Sequence, residues 1–417
     1  MKTLLNIITA ICGVGLAAAF LPANQAEMAQ SADAFVNSVG VNVHLHYTNT
    51  PYGDFPSVET ALKQLGVRHI RDGLAGTVIN SYFDRLNELG RLGIKGIFVT
   101  NPGESDSVLV SFPSRVPASF EGYESPNEYD IGHGPDWAAT VDNFLSRLHD
   151  AVKSDPATSV YPIIGPSLTQ PGSFPKAAAT AQFFDYANLH NYMGGRNPGT
   201  SGWGGGGYGS IDWNLSLAKK AWPDKPIMTT ETGYLTNVSK PQSIPEEVAG
   251  KYLPRLLLEQ WEHGIRRTYI YQLMDFGDQT RSNDVSFGLL HSDFSPKPAY
   301  TAIRNMIRLL SDPGPSFPTG KLQYSLTGDA AGVDHALFEK RDGTFYLALW
   351  VEKSSYDVDA KKMLPVSDHA VTVATDKPMI VHLHSLEEDG SMRTAAMGTQ
   401  QTTTLKLSDW ITVIELR

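Results

Sequence analysis

Between Val39 and Leu310 the chain alternates eight times between short β-prone runs and longer helix-like ones, and few folds accommodate that rhythm. The runs expected as strands are residues 39–46, 67–71, 94–100, 119–124, 160–166, 186–190, 227–230 and 267–273. Helices are expected over 57–65, 78–92, from about Pro135 through Leu148, and over 177–184, 211–221, 246–263 and 298–310. In the second of these Phe83, Leu86 and Leu89 share one stripe. Residues 104–118 are the weak point, with two prolines and little helical pattern. Eight strand–helix units in this length suit a closed parallel barrel, the (β/α)₈ or TIM barrel, with functional residues at the C-terminal strand ends. A doubly wound open sheet is the rival. It would carry a glycine-rich phosphate turn after an early strand, and none is present. Trp203-Gly204-Gly205-Gly206-Gly207-Tyr208 lacks the lysine and the helix start that such a cradle needs.

Beyond Asp312-Pro313-Gly314-Pro315 the period changes. Residues 336–341, the turn Asp342-Gly343 and residues 344–351 read as a β-hairpin. Short strands are expected at 371–374, 379–384, 402–407 and 411–416. Residues 316–417 are therefore expected to form a small antiparallel β-sandwich behind a barrel over residues 35–312. The N-terminus has one early lysine, an apolar run and then small residues, the pattern of a secretory leader over about residues 1–30. Thr9, Gly13, Gly15 and Pro22 interrupt the run, so a membrane anchor is not expected. Cleavage is expected between Ala23 and Ala34, which would remove Cys12, the one cysteine, and deliver the protein to the periplasm or the exterior.

A formal charge of −10 gives no basic face for a nucleic acid. It is neutral towards a sugar polymer. Two strand ends matter most. Residues 119–124 run into Ser125-Pro126-Asn127-Glu128, and residues 227–230 end on Glu231. Hydrolysis of a glycosidic bond needs one protonated carboxyl to assist the leaving oxygen and one ionised carboxylate to attack or to activate water. Other strand ends bring His44 and His46, Arg71 and Asp72, Asn101, then His190, Asn191 and Tyr192, then Gln272 and Asp275.

This collection, with residues 269–275 (Tyr-Ile-Tyr-Gln-Leu-Met-Asp), Phe287-Gly288-Leu289-Leu290 and Pro296-Lys297-Pro298-Ala299-Tyr300, resembles the retaining glycoside hydrolases of clan A. It is nearest to bacterial family 39-like and family 5-like members, over about residues 39–306. The resemblance implies that Glu128 is the acid/base, Glu231 the nucleophile and Asn127 the donor to the sugar 2-hydroxyl. Arg71 would lie beside Glu231 and keep it ionised, and Tyr192, supported by His190, would orient the pair. It implies an oligo- or polysaccharide substrate, a monomer and no cofactor. A non-catalytic sugar-binding barrel is the alternative. The chain departs from the family in having Ser125-Pro126 before the Asn-Glu pair. It also has Leu273-Met274 where relatives carry a tryptophan under the sugar, so the platform must come from elsewhere.

The remaining candidates carry two readings each. His44 and His46 alternate onto one face of the first strand, but no third ligand stands in motif spacing, so contact with sugar hydroxyls or support of the carboxylates is expected rather than a metal. Trp203 is either a sugar-stacking flap or a side chain packed over the barrel rim. Glu121 and Glu124 compete with Glu128 for the acid role, though only Glu128 lies past the strand end. Gln272 and Asp275 are expected to line the site.

Overall fold

The computed structural model describes residues 25–74, 80–277 and 286–417. Eight parallel strands form the first domain: β1 (Val39–Asn42), β2 (His69–Gly73), β3 (Lys95–Val99), β4 (Phe120–Glu124), β5 (Ile163–Ile164), β6 (Ala187–His190), β7 (Ile227–Thr232) and β8 (Thr268–Ile270). They neighbour one another in chain order. β8 returns to β1 through Thr268–Val39, Tyr269–Gly40 and Ile270–Val41, and β5 meets β6 at the bridge Ile164–Tyr186, so the sheet closes. The barrel is filled in layers. Ile97, Ile164, Met228 and Tyr269 form an inner apolar layer. Gly40 is required beside it, because a Cβ there would lie 2.4 Å from the Tyr269 ring.

Helices ring the barrel with local stop and start signals. Phe55–Leu65 is capped by Asp54, whose side chain accepts from Ser57 N–H, and it ends at Gly66 in the left-handed region (φ 84°). Residues 104–118, with little helical pattern in the sequence, do contain a helix, Asp106–Arg115. Ser105 caps it, Leu109 and Phe112 are buried, and Pro113 sits near its C-terminal end. Tertiary burial outweighed a weak local signal there. Conversely, the helix expected at 177–184 is a 3₁₀ run, Pro171–Phe183, with Pro175 inside it. The leading part of the expected 78–92 helix falls partly outside the described residues, and the helix runs Asn80–Arg91. Among the described residues, no helix is long and apolar enough to cross a membrane.

The second domain is one eight-stranded, mainly antiparallel sheet curled round its own core. The expected hairpin is Val333–Glu339 with Phe345–Val351. The short strands expected at 371–374 and 379–384 are a single strand, His369–Leu386, with a register shift between Ala374 and Met379. Strand alternation divides two faces. Leu337, Leu347 and Leu349 enter the sandwich core, whereas Ala336, Phe338, Tyr346, Ala348 and Trp350 join the barrel's core. Gln25–Met28 pairs antiparallel with Lys321–Tyr324, and Gln30–Ser31 pairs parallel with Phe338–Glu339, so residues 25–31 join the sandwich sheet. The rest of the expected leader, with Cys12, lies outside the described residues.

A buried ion pair fastens the two domains. Arg255, fully buried on helix Glu246–Glu262, donates from Nε to Glu352 Oε2 at 2.9 Å. Trp350 Nε1 donates to the same oxygen at 2.9 Å. Glu352 Oε1 accepts from Asn197 Nδ2 (2.7 Å) and Gly199 N–H (2.9 Å), in the loop after β6. Removing one member of such a pair leaves the other charge buried and unpaired. Glu352→Ala is therefore expected to destabilise the folded chain by about 3–5 kcal/mol, read as a lower denaturant midpoint, with Glu352→Gln falling between it and wild type.

Candidate active site

Arg71, in the middle of β2, points into the barrel mouth and uses all of its donors. Nε and Nη2 donate to the two oxygens of Glu124 (2.7 and 2.8 Å). Nη1 donates to Asn42 Oδ1 (3.0 Å) and to Glu231 Oε1 (2.5 Å), and Nη2 also reaches Asn127 Oδ1 (2.7 Å). A guanidinium has five N–H groups in a planar fork, and each has a partner here. Arg71 therefore ties β1, β2, β4 and β7 together. Glu124, with no solvent exposure, also accepts from Asn188 Nδ2 (3.1 Å) and Thr230 Oγ1 (3.0 Å). It is the floor of the site, below the strand end.

β7 carries an irregularity that strict alternation would forbid. Thr230 and Glu231 are consecutive, yet both reach barrel-interior partners. The register shifts against both neighbours at this point, between Leu189 and His190 on β6 and between Thr268 and Ile270 on β8. This is a β-bulge, which re-aims one side chain. It frees Glu231 to lie at the mouth while Thr230 bonds the floor. Burial would push the Glu231 carboxyl up, but His190, Arg71 and the Tyr192 hydroxyl (2.9 Å to Oε2) together hold it below the ordinary carboxylate value.

Glu128 lies just past β4. Its backbone adopts φ 42°, in the left-handed region that a glutamate rarely occupies, and its N–H is held by Ser167 Oγ at 3.1 Å. This conformation turns the carboxyl towards β6, where Oε1 meets His190 Nδ1 at 2.7 Å. The other ring nitrogen of His190 is 3.0 Å from Thr230 Oγ1. Thr230 has one hydroxyl proton and two oxygen acceptors beside it, Glu124 Oε1 and Asn188 Oδ1 (2.8 Å). The hydroxyl proton goes to one of these, so His190 Nε2 must donate to Thr230. The short Nδ1 contact to Glu128 then holds one proton, shared between the imidazole and the carboxyl. Oxygens of Glu128 and Glu231 and a His190 nitrogen all lie within 4.8 Å of one another. That spacing would also suit a metal. Both Glu231 oxygens and His190 Nδ1 already have protein partners, in Arg71, Tyr192 and Glu128.

A cavity of about 400 Å³ opens above these carboxylates, lined by Asn127, Glu128, Tyr192, Glu231, Tyr271 and Phe287 among others. Tyr271 and Phe287 form an edge-to-face pair at 5.8 Å, and Tyr192 meets Phe287 at 5.6 Å. These rings supply the aromatic walls that the sequence reading did not locate. Leu273 and Met274, where a tryptophan was sought, are fully buried, and the aromatic that reaches the cavity is the half-buried Tyr271, two residues before Leu273.

Several expected site residues are elsewhere. Gln272 is buried and accepts from Tyr52 hydroxyl at 3.3 Å, and Asp275 accepts from Gly288 N–H (2.7 Å) and pairs with Lys297 (2.7 Å). Both fix the segment after β8 and neither lines the cavity. His44 stacks on Tyr47 at 4.8 Å and packs near Tyr52, Tyr271 and Phe276, and burial pulls its pKa down to about 4, so it stays neutral. His46 Nδ1 lies 3.3 Å from Asp72 and faces a neighbouring cavity. Trp203 sits at the rim, its ring under Arg196 (4.7 Å) and against Gly209, where a Cβ would come within 2.1 Å of it, and it lines a small cavity together with His190 and Tyr192. Glu121 is at the opposite end of the barrel, bonded to His69 (2.8 Å) and Arg267 (2.9 Å). Sequence reasoning missed Asn42, Asn188 and Thr230, which support Arg71 and Glu124 from inside strands.

Arg71→Met removes the cation between two buried carboxylates. The sign of the pH effect follows from Glu231. Its depressed pKa contributes stability that is full above the ordinary carboxylate range and is lost as pH falls through the folded value. Without Arg71, burial, which raises the carboxyl, is opposed only by His190 and Tyr192. Arg71→Met is therefore expected to lose about 3–5 kcal/mol at neutral pH and to recover part of it on mild acidification, the reverse of wild type. Unfolding midpoints measured across the acid range decide this, and parallel profiles for the two proteins would contradict it.

Among solved structures, the chain is similar to a monomeric beta-xylosidase from Caulobacter crescentus CB15, with a TM-score of 0.64 at 15% identity, covering 94% of this chain and 97% of that one. It is also similar to a family 39 enzyme from Xanthomonas axonopodis pv. citri, with a TM-score of 0.63 at 11% identity over 95% and 98% of the two chains. The fold is that of the family 39 glycoside hydrolases. A third family 39 structure, from the gut symbiont Bacteroides cellulosilyticus WH2, matches at 0.56 with 17% identity over 93% of this chain and 82% of that one. Coverage of this extent means that the family 39 likeness takes in the sandwich as well as the barrel. No family model and no curated protein matches the sequence.

Proposed function

We propose that the chain is a retaining glycosidase that hydrolyses O-glycosidic bonds of an oligo- or polysaccharide by double displacement. The observation that carries the reading is the separation of the two carboxylates. Oxygens of Glu128 and Glu231 lie within 4.8 Å, close to the roughly 5–5.5 Å of enzymes whose second carboxylate attacks directly and well short of the roughly 6.5–9.5 Å that admits a water. Glu231, held ionised by Arg71 and Tyr192, is the nucleophile. Glu128, with a proton on its contact to His190, is the acid and then the base. Asn127 has Oδ1 pinned by Arg71, which turns its Nδ2 to the opening as a donor for the sugar 2-hydroxyl. The fold likeness to a beta-xylosidase makes β-xylosides the first substrates to try. The same likeness, to an enzyme described as monomeric, supports action as a monomer. The N-terminal pattern supports export, with cleavage before Gln25 so that the first sandwich strand survives.

The test is the anomeric outcome. Nuclear magnetic resonance of the first-formed sugar from an aryl β-glycoside is expected to show retained configuration, and inversion would contradict the assignment of Glu231 as nucleophile. A barrel that only binds sugar would show binding with no turnover at all.

A further inference from the structure

A second cavity, of about 360 Å³, lies on the other side of Asn127 from the catalytic one, and nothing in the mechanism above uses it. Its walls include His46, Thr100, Asn101, Glu104, Asn127 and Tyr129. Asn127 lines both spaces, so the two are consecutive parts of one cleft across the barrel mouth. The lining is rich in hydrogen-bonding groups and has one aromatic wall. Asn101 Oδ1 is held by Gly103 N–H at 3.0 Å, which leaves its Nδ2 to donate outward. Glu104 accepts from Asn101 N–H at 3.2 Å. Tyr129 and His133 stack at 3.7 Å with 15° between planes. A few convergent polar groups beside stacked rings are what a neutral, hydroxyl-rich ring needs for recognition.

The side of the cleft also follows from the geometry. The Glu128 carboxyl is turned to His190 on β6 and lines the catalytic cavity but not this one. Its proton reaches the leaving oxygen from the β6 side, so the leaving group lies there. Sugars on the other side of the scissile bond continue past Asn127. Resting on the glycosidase reading, we propose that this cavity is a second glycone subsite, so that the preferred substrate is an oligosaccharide from which an intact disaccharide, or a longer fragment, is released.

The experiment compares p-nitrophenyl glycosides of single sugars with those of the matching β-linked disaccharides, in the xylo, gluco, galacto and manno series. In the series the enzyme accepts, the disaccharide glycoside is expected to have kcat/KM higher by about tenfold, the worth of one or two ordinary hydrogen bonds. The product is expected to be the undivided disaccharide. Asn101 is exposed, and Asn101→Trp would fill the cavity from the surface. It is expected to abolish the preference while leaving the single-sugar glycoside within about twofold of wild type, because no group touching the scissile bond changes. Asn101→Ala should lose part of the preference. Equal rates for both substrates in wild type, stepwise release of single sugars, or equal slowing of both by Asn101→Trp would overturn the subsite. A separate arm titrates the free disaccharides into Glu231→Ala. Binding that Asn101→Trp removes, with no turnover by wild type on any series, would keep the subsite and sink the glycosidase reading. Binding indifferent to Asn101→Trp would sink the subsite whatever the turnover.

Discussion

Glu231→Ala is expected to be inactive on every glycoside, with kcat lower by on the order of 10⁴–10⁶, as when an enzyme's nucleophile is deleted from an otherwise intact site. The loss should be chemical rather than structural. Arg71 loses one partner but keeps both bonds to Glu124 and those to Asn42 and Asn127, so its charge remains compensated. Tyr192 loses its acceptor and is otherwise packed against Phe287. The space vacated lies on the sugar face opposite the leaving group, next to a cation and a phenol donor. A small anion such as azide fits those demands and should restore turnover of an activated aryl glycoside, giving a glycosyl azide of opposite anomeric configuration. Chromatography of the product with and without azide reads this directly. Retention of wild-type rates in Glu231→Ala would end the nucleophile assignment. An azide-rescued product of unchanged configuration would place the attack elsewhere.

The strand ends that bear Asn127, Glu128, Glu231, His190 and Tyr192 were legible because period-two alternation and turn residues are local signals. What decides the chemistry between them was not local. Alternation sends Thr230 and Glu231 to opposite faces of β7, and only the bulge, which depends on register against β6 and β8, lets both serve the same site. Glu124 looked like a rival acid from its spacing. Its burial beneath Arg71, set by strands far apart in the chain, makes it the counter-charge instead. His44 shows another limit. A polar residue at a strand end suggests a sugar contact or a support for the carboxylates, whereas its surround of four aromatic rings is set in part by distant segments of the chain. The same limit applies at the domain scale. Gln25–Met28 finds its partner at Lys321–Tyr324, nearly the whole chain away, and no window of sequence can show such a pairing.

Glu128→Ala should fail in a different way from Glu231→Ala. On the proposed roles, Glu231 with Arg71 and Tyr192 is untouched, so its glycosylation needs only a leaving group that departs without a proton. A dinitrophenyl glycoside is expected to glycosylate the variant at close to the wild-type rate, while a glycoside of a poor leaving group loses about 10²–10⁴-fold, the usual contribution of a positioned general acid. The loss should grow with the pKa of the leaving group, giving a steep dependence where wild type is shallow. The second step has its own signature. Water must be activated by the group that gave up the proton, and with Glu128 gone the glycosyl-enzyme should accumulate after a burst of phenolate. Intact-protein mass spectrometry would find the chain heavier by one glycosyl unit, carried on Glu231. His190 tests the proton's path. His190→Ala removes the partner of Glu128 Oε1 and the link to Thr230 but leaves the acid itself. Its leaving-group dependence should be intermediate, with no lasting intermediate. Should Glu128→Ala slow good and poor leaving groups alike, with no trapped enzyme, the acid is another carboxyl. Glu124, sealed under Arg71 with no exposed surface, could not reach a leaving oxygen without a rearranged barrel floor.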